Sequence, residues 1–335
     1  MCIRDRIKPA SQVLFEDAAS PLWTYEGRTP GPEVRVTKGE RVRVRFTNDL
    51  FEPTSVHWHG IRIENSMDGV SGLTQDPIQP GESFTYDFLA PDAGTYWYHA
   101  HNRSWNQVAR GLYGPLIIDE PERPFPKDRD ISLILDDWRL IEEGVLDEES
   151  IGSLHDWSHA GRLGNWLTVN GESKPTYTLQ QGQPHRLRLI NASNARILEI
   201  DPAQFKAKLL AYDGQPLPEP RDVLQSPLLL GPAQRVDLLV VPDEGFSVEE
   251  VSGDDGFAFL KFNLGGGTSD PVPVPAISQN SILEPDLENA TLHSLAMEGG
   301  AMGGRVAIRH KGQILEREQI MATGQFWIMN GNAGL

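Results

Sequence analysis

A single cysteine, Cys2, in 335 residues excludes any disulfide within the chain and leaves the redox compartment open. Basic residues are also short: 30 Lys and Arg face 47 Asp and Glu, a formal charge of −17. Such a surface repels phosphate backbones and anionic lipid, so it argues against nucleic acid or a membrane surface as partner. No apolar run approaches the roughly 20 residues of a spanning helix, and residues 1–15 lack the apolar core of a secretory signal. Residues 1–7, which open Met1-Cys2-Ile3-Arg4-Asp5-Arg6, fit neither a strand nor a signal pattern and are expected to be a non-native leader outside the first domain.

Turn residues, by contrast, are abundant. With 32 Gly, 25 Pro, 39% hydrophobic and 23% charged residues, the chain reads as globular and rich in short strands, and it is long enough for two or three domains. Internal repeats count those domains. Lys38 to Asn48 aligns with Gln181 to Asn191 at an offset of 143, and in both copies Arg alternates with apolar residues. That is the pattern of a strand with one face in a core and the other wet. Trp23-Thr24-Tyr25-Glu26-Gly27 recurs as Leu167-Thr168-Val169-Asn170-Gly171, and Gly164 to Gly171 recurs again as Gly324 to Gly331.

The expected organisation is all-β. The first domain spans 8–121, and Pro121, Pro124 and Pro126 form a stiff connector. A second domain spans 128–265, a Gly-, Pro- and Ser-rich linker 266–304, and the start of an incomplete third domain 305–335. Domains of this size built from short strands suggest two-sheet sandwiches.

Four of the nine histidines fall into two His-x-His pairs, His57-Trp58-His59 and His99-Ala100-His101. In a strand, residues two apart share a face, so each pair presents two imidazoles to one space, and four could converge on a metal. Imidazole suits copper, zinc, nickel and iron; with no Cys or interleaved carboxylate a structural zinc site is disfavoured, but residue type alone does not choose the metal. The plainer account, surface decoration or hydrogen-bonded loops, requires two such pairs beside aromatics in one domain by coincidence. Trp58 and Trp97 are expected to wall the site, and Gly60 to permit close backbone packing. His155 and His159, four apart around Trp157, read as a loop or solvated helix, and His185 as a residue on a strand face. His293, Met297 and Met302 read as plain linker, with weak attraction for Cu(I) as the alternative.

The succession His57-Trp58-His59-Gly60, Met67-Asp68-Gly69-Val70, Thr74-Gln75-Asp76-Pro77, Gly94-Thr95-Tyr96-Trp97-Tyr98-His99-Ala100-His101 and Gly111-Leu112-Tyr113-Gly114-Pro115 resembles the first domain of three-domain multicopper oxidases. Through the repeat, the likeness extends over residues 10–335. It implies tandem cupredoxin-like Greek-key β-sandwiches and copper as cofactor. His57 would bind a type 2 copper, His59 one type 3 copper, and His99 and His101 one type 3 copper each, forming half of a trinuclear cluster. Asp68 matches a carboxylate that assists proton delivery; an Asp-Gly turn without chemistry is the other reading. The implied reaction couples one-electron oxidation of a small substrate, such as a phenol, an amine or Cu(I), to four-electron reduction of dioxygen to water. The implied location is the periplasm or cell exterior.

The chain departs from the family pattern in lacking the third-domain His-Cys-His segment that builds a type 1 copper, so it is expected to be inactive alone. Two other classes compete. A copper-free cupredoxin-repeat protein of the cell-division type would lack the histidine pairs, and a two-domain copper nitrite reductase would need a cysteine in its first domain.

Overall fold

Along Arg41–Asn48, Val42, Val44 and Phe46 are buried while Arg41, Arg43 and Arg45 face solvent, as a period of two requires. The structure, a computed structural model, describes residues 1–223, 227–253, 256–266, 272–299, 307–310, 313–316, 318–319, 322 and 327–333. Its first eight strands are β1 (Cys2–Phe15), β2 (Ala18–Tyr25), β3 (Val34–Thr37), β4 (Arg41–Asn48), β5 (Val56–His59), β6 (Ser83–Leu89), β7 (Gly94–Ala100) and β8 (Tyr113–Asp119). They form two four-stranded sheets, ordered β2-β1-β4-β6 and β3-β8-β7-β5. Val44, Phe46 and Tyr86 of one sheet and Trp58, Tyr98 and Leu116 of the other share one core. This is the first sandwich.

The second sandwich follows as β9 (Asp130–Trp138), β10 (Trp166–Val169), β11 (Thr176–Gln180), β12 (His185–Asn191), β13 (Leu198–Ile200), β14 (Lys208–Tyr212), β15 (Gln215–Arg221), β16 (Leu228–Leu230), β17 (Arg235–Val240), β18 (Phe246–Glu250) and β19 (Phe257–Gly265). Its sheets are ordered β10-β9-β12-β17-β14-β15 and β11-β19-β18-β13-β16. Parallel pairings between strands far apart in the chain, β1 with β4, β3 with β8, β9 with β12 and β11 with β19, mark the crossovers of both sandwiches. The architecture is all-β, as the sequence predicts.

The residues divide into two compact units: 1–147 with 164–281, holding both sandwiches, and 148–163 with 282–335. The second unit contains α2 (Leu154–Ser158; α1, Ser104–Gln107, belongs to the first sandwich) and a five-stranded sheet of β20 (Met297–Gly299), β21 (Ala307–His310), β22 (Gln313–Glu316), β23 (Trp327–Met329) and β24 (Asn332–Ala333). Met302 and Gly324 to Phe326 lie outside the described residues. The repeated turn is the same in all three copies. Glu26 and Gly27 have φ of 53° and 80°, Asn170 and Gly171 53° and 80°, and Asn330 and Gly331 48° and 76°.

Three expectations are corrected. Residues 2–7 are not outside the domain but pair in parallel with Arg43 to Asn48, with Asp5 and Ile7 buried. An acid on the inward face breaks the apolar alternation and conceals the strand. The second copy of the Arg alternation is not wet on one face: Arg186 and Arg188 are buried, held by Glu120, Asp130 and Asp237. Strand β12 lies inside a six-stranded sheet with its charged face turned to the first sandwich, where Arg188 also reaches Thr95 of β7 at 2.8 Å. The stretch from residue 272 to 281 is not free linker either. Ile277 packs with Phe125, Leu210 and Leu239, and the Asn280 amide donates to Ala93 O at 2.8 Å while its oxygen accepts from Ala93 N at 3.1 Å.

Candidate metal centre

Strands β5 and β7 pair antiparallel with His57 opposite His99 and His59 opposite Trp97. Directly opposed residues share a face, so three site histidines and Trp97 emerge on one side of the sheet. The intervening Val56, Trp58, Tyr98 and Ala100 enter the core on the other side. Trp58 therefore does not wall the site: its ring packs 4.9 Å from Phe88 and 5.6 Å from Tyr86. Trp97 does, with its ring centroid 4.3 Å from His99 and 5.2 Å from His59.

The candidate nitrogens of His57, His59 and His99 all lie within 4.8 Å of one another. His101, just past the end of β7, flanks them with ring centroids 5.2 Å from His57 and 5.9 Å from His99. Two of the rings, His57 and His99, are oriented from behind. His57 Nδ1–H donates to the Asp68 carbonyl at 2.8 Å and His99 Nδ1–H to the Ala100 carbonyl at 2.9 Å, which leaves each Nε2 with a free lone pair. His59 Nδ1 faces His99 Nε2 at 3.3 Å. Two nitrogens bound to one ion at about 2.0–2.1 Å each can lie this far apart.

Burial keeps the imidazoles of His57, His59 and His99 neutral. It pushes the His57 pKa down against the opposing pull of Asp68, carries His99 well below the ordinary value, and, with Arg235 nearby, lowers His59 to about 3. Neutral imidazole is the form that coordinates a metal. The donor set thus fits a soft-to-borderline transition metal such as copper: all nitrogen, uncharged and pre-oriented.

Asp68 ends the short 3₁₀ turn Asn65–Met67, and its carboxylate lies 3.4 Å from His57 Nδ1. The Asp-Gly turn and the contact with the site coexist. Gly69 has φ of +79°, and a Cβ there would sit 1.8 Å from the Val56 carbonyl oxygen, so the turn is pressed onto β5 as only glycine allows.

His185 is fully buried on β12, donating from Nδ1 to Gln183 O and accepting at Nε2 from the Gln180 amide. In the second unit, His155 and His159 stack at 4.2 Å around the single turn of α2. Sequence reasoning missed Arg235. This residue of the second sandwich contacts the Gly60 turn directly behind His59, and no local motif marks it.

A family model for multicopper oxidases matches residues 9–123. The chain is 33% identical over 273 residues to the multicopper oxidase MmcO of Mycobacterium tuberculosis, covering 73% of this chain and 53% of that protein. It thus spans about half the length of that relative. The crystal structure of a multi-copper oxidase from Pseudomonas thermotolerans superposes with a TM-score of 0.81 at 36% identity, covering 88% of this chain and 71% of that one. Lac15, from a marine microbial metagenome, gives a TM-score of 0.71 at 38% identity over 86% and 73%. With its strand-borne histidine cluster and likeness on this scale to solved members, the chain belongs to the multicopper oxidase family.

Proposed function

We propose that His57, His59, His99 and His101 bind copper as one half of a trinuclear site. The host protein would couple one-electron oxidation of a small reducing substrate (a phenol, an amine or Cu(I)) to reduction of dioxygen to water. The observation that carries the reading is the convergence of three neutral imidazoles within 4.8 Å, two of them, His57 and His99, with Nδ1 tied to a backbone carbonyl. Copper, when bound, supplies the reversible one-electron chemistry that dioxygen reduction requires.

This chain's residues hold and orient. Asp68 fixes the His57 ring through its carbonyl and places a carboxylate 3.4 Å away, where it can accept and release protons at the edge of the site. Trp97, buried against His59 and His99, excludes water from that side. The only cysteine, Cys2, is exposed on β1 opposite Arg43, so the chain by itself has no histidine-flanked thiolate to accept electrons from a substrate. We therefore expect it to bind copper without turning over. The periplasm or cell exterior is the proposed location. The converged histidines count against a copper-free cupredoxin-repeat protein.

Anaerobic copper titration of the chain tests this. Metal retained after passage over a chelating resin, and lost in the His57→Ala/His99→Ala double variant, is expected. Equal retention by both proteins, or none by either, rejects the copper reading. Oxygen uptake with phenols or Cu(I) by the protein that supplies the remaining ligands tests the activity.

A further inference from the structure

Resting on the copper reading above, we propose that Arg235 of the second sandwich is a positioning residue for the His59 side of the centre. Arg235 opens β17 and is 5% exposed, and its guanidinium is bound on nearly every side. Nε donates to Thr95 O at 3.2 Å, Nη1 to Ala233 O at 3.0 Å and Nη2 to Asp213 O at 3.0 Å, while Nη1 lies 3.1 Å from the Asp213 carboxylate. The backbone is locked as well: Arg235 N donates to the Asp213 carboxylate at 2.9 Å, and Asp213 N donates to Arg235 O at 2.8 Å. A buried fork held by this many acceptors has one position available to it.

That position is the space a side chain at residue 60 would need. Gly60 follows His59 directly, has φ of +87°, and its Cβ would fall 2.2 Å from Arg235 Nη2 and 2.9 Å from Cζ. The chain leaving β5 is therefore seated on the guanidinium. The same group ties down the Thr95 carbonyl on β7, the strand that carries His99 four residues later. One rigid cation thus braces the segments that deliver both members of the His59–His99 contact.

Charge and geometry make opposite predictions, so they can be separated. A cation close to a bound metal ion weakens binding, and removing it should tighten the site. A brace that sets ligand spacing strengthens binding, and supporting groups of this kind are typically worth about 10–100-fold in metal affinity. The experiment measures Cu(II) affinity by chelator competition, together with the Cu(II) EPR spectrum, for the wild-type chain, Arg235→Met and Arg235→Lys. Hydrogen exchange of the peptides covering 56–62 and 94–101 is followed in the same proteins before copper is added. Positioning predicts that both variants bind copper about tenfold more weakly with altered EPR parameters, and that both peptides exchange faster. Lysine should rescue little, because one ammonium cannot span the fork's acceptors.

Tighter binding in Arg235→Met with Lys equal to wild type would mean that only the charge acts. Unchanged affinity, spectrum and exchange in folded variants would remove the role altogether. The exchange readout does not depend on copper. A wild-type chain that binds no copper overturns the proposed function, whereas unchanged exchange in the variants overturns this inference alone.

Discussion

The most exacting prediction concerns Gly69, which touches no candidate metal nitrogen. In Gly69→Ala the new Cβ would lie 1.8 Å from Val56 O and 3.1 Å from His57 Cα, both backbone atoms with no rotamer to yield. Cβ contacts essentially never fall below 3.0 Å, so the Asp68–Gly69 turn and β5 must separate by about 1.2 Å. The His57 Nδ1···Asp68 O bond is 2.8 Å long. A separation of that size takes it to about 4 Å, beyond hydrogen-bonding range. Stability should fall by about 1–2 kcal/mol from the left-handed backbone and about 1 kcal/mol from the lost bond. With its ring untethered, His57 is free to rotate away from the cluster, and Cu(II) affinity should fall about 10–100-fold. Asp68→Asn is the matched control: it keeps the accepting carbonyl and should stay within roughly threefold of wild type, well short of the loss expected for an untethered ligand. Competition titration with EPR of the bound Cu(II) measures both. A Gly69→Ala protein with wild-type affinity and spectrum would refute the claim that this turn orients His57.

Asp130→Ala should be costly, since Asp130 is 4% exposed and pairs with Arg35, Arg186 and Arg188 at 2.6–2.8 Å. Leaving buried guanidinium groups short of a partner is worth about 3–5 kcal/mol, readable by urea unfolding at pH 7 followed by both fluorescence and circular dichroism. Burial pushes the Asp130 pKa up, but Arg188 and Arg186 outweigh it and hold it below the ordinary value. Its stabilisation is thus present above about pH 4 and lost on further acidification, so the gap between variant and wild type should close in acid. Asp5 behaves in the opposite way. Burial first, and then Glu26, raise its pKa to about 7, so the folded state keeps a proton that the unfolded chain releases near pH 4, and stability falls between those values. Asp5→Asn should match wild type near pH 4 and exceed it above pH 7, by at most about 4 kcal/mol; a constant difference across that range would contradict the burial of this carboxyl.

The sequence by itself determined what is local or periodic. Alternation in β4, the His-x-His spacing and the thrice-repeated turn follow from a strand's period of two and from left-handed turn geometry. Each can be read without knowing any neighbour. That the two histidine pairs could converge needed the assumption that their strands adjoin, and the register that sets His57 opposite His99 came from the structure. The tertiary structure decided which partner each face meets. It turned Trp58 into core and Trp97 into wall, buried the arginines of β12 that look solvated, and drew residues 2–7 into a sheet despite Asp5. It also brought Arg235 against the Gly60 turn. Those outcomes depend on residues far apart in the chain meeting across sheets and sandwiches, and such meetings leave no period or motif in any one segment.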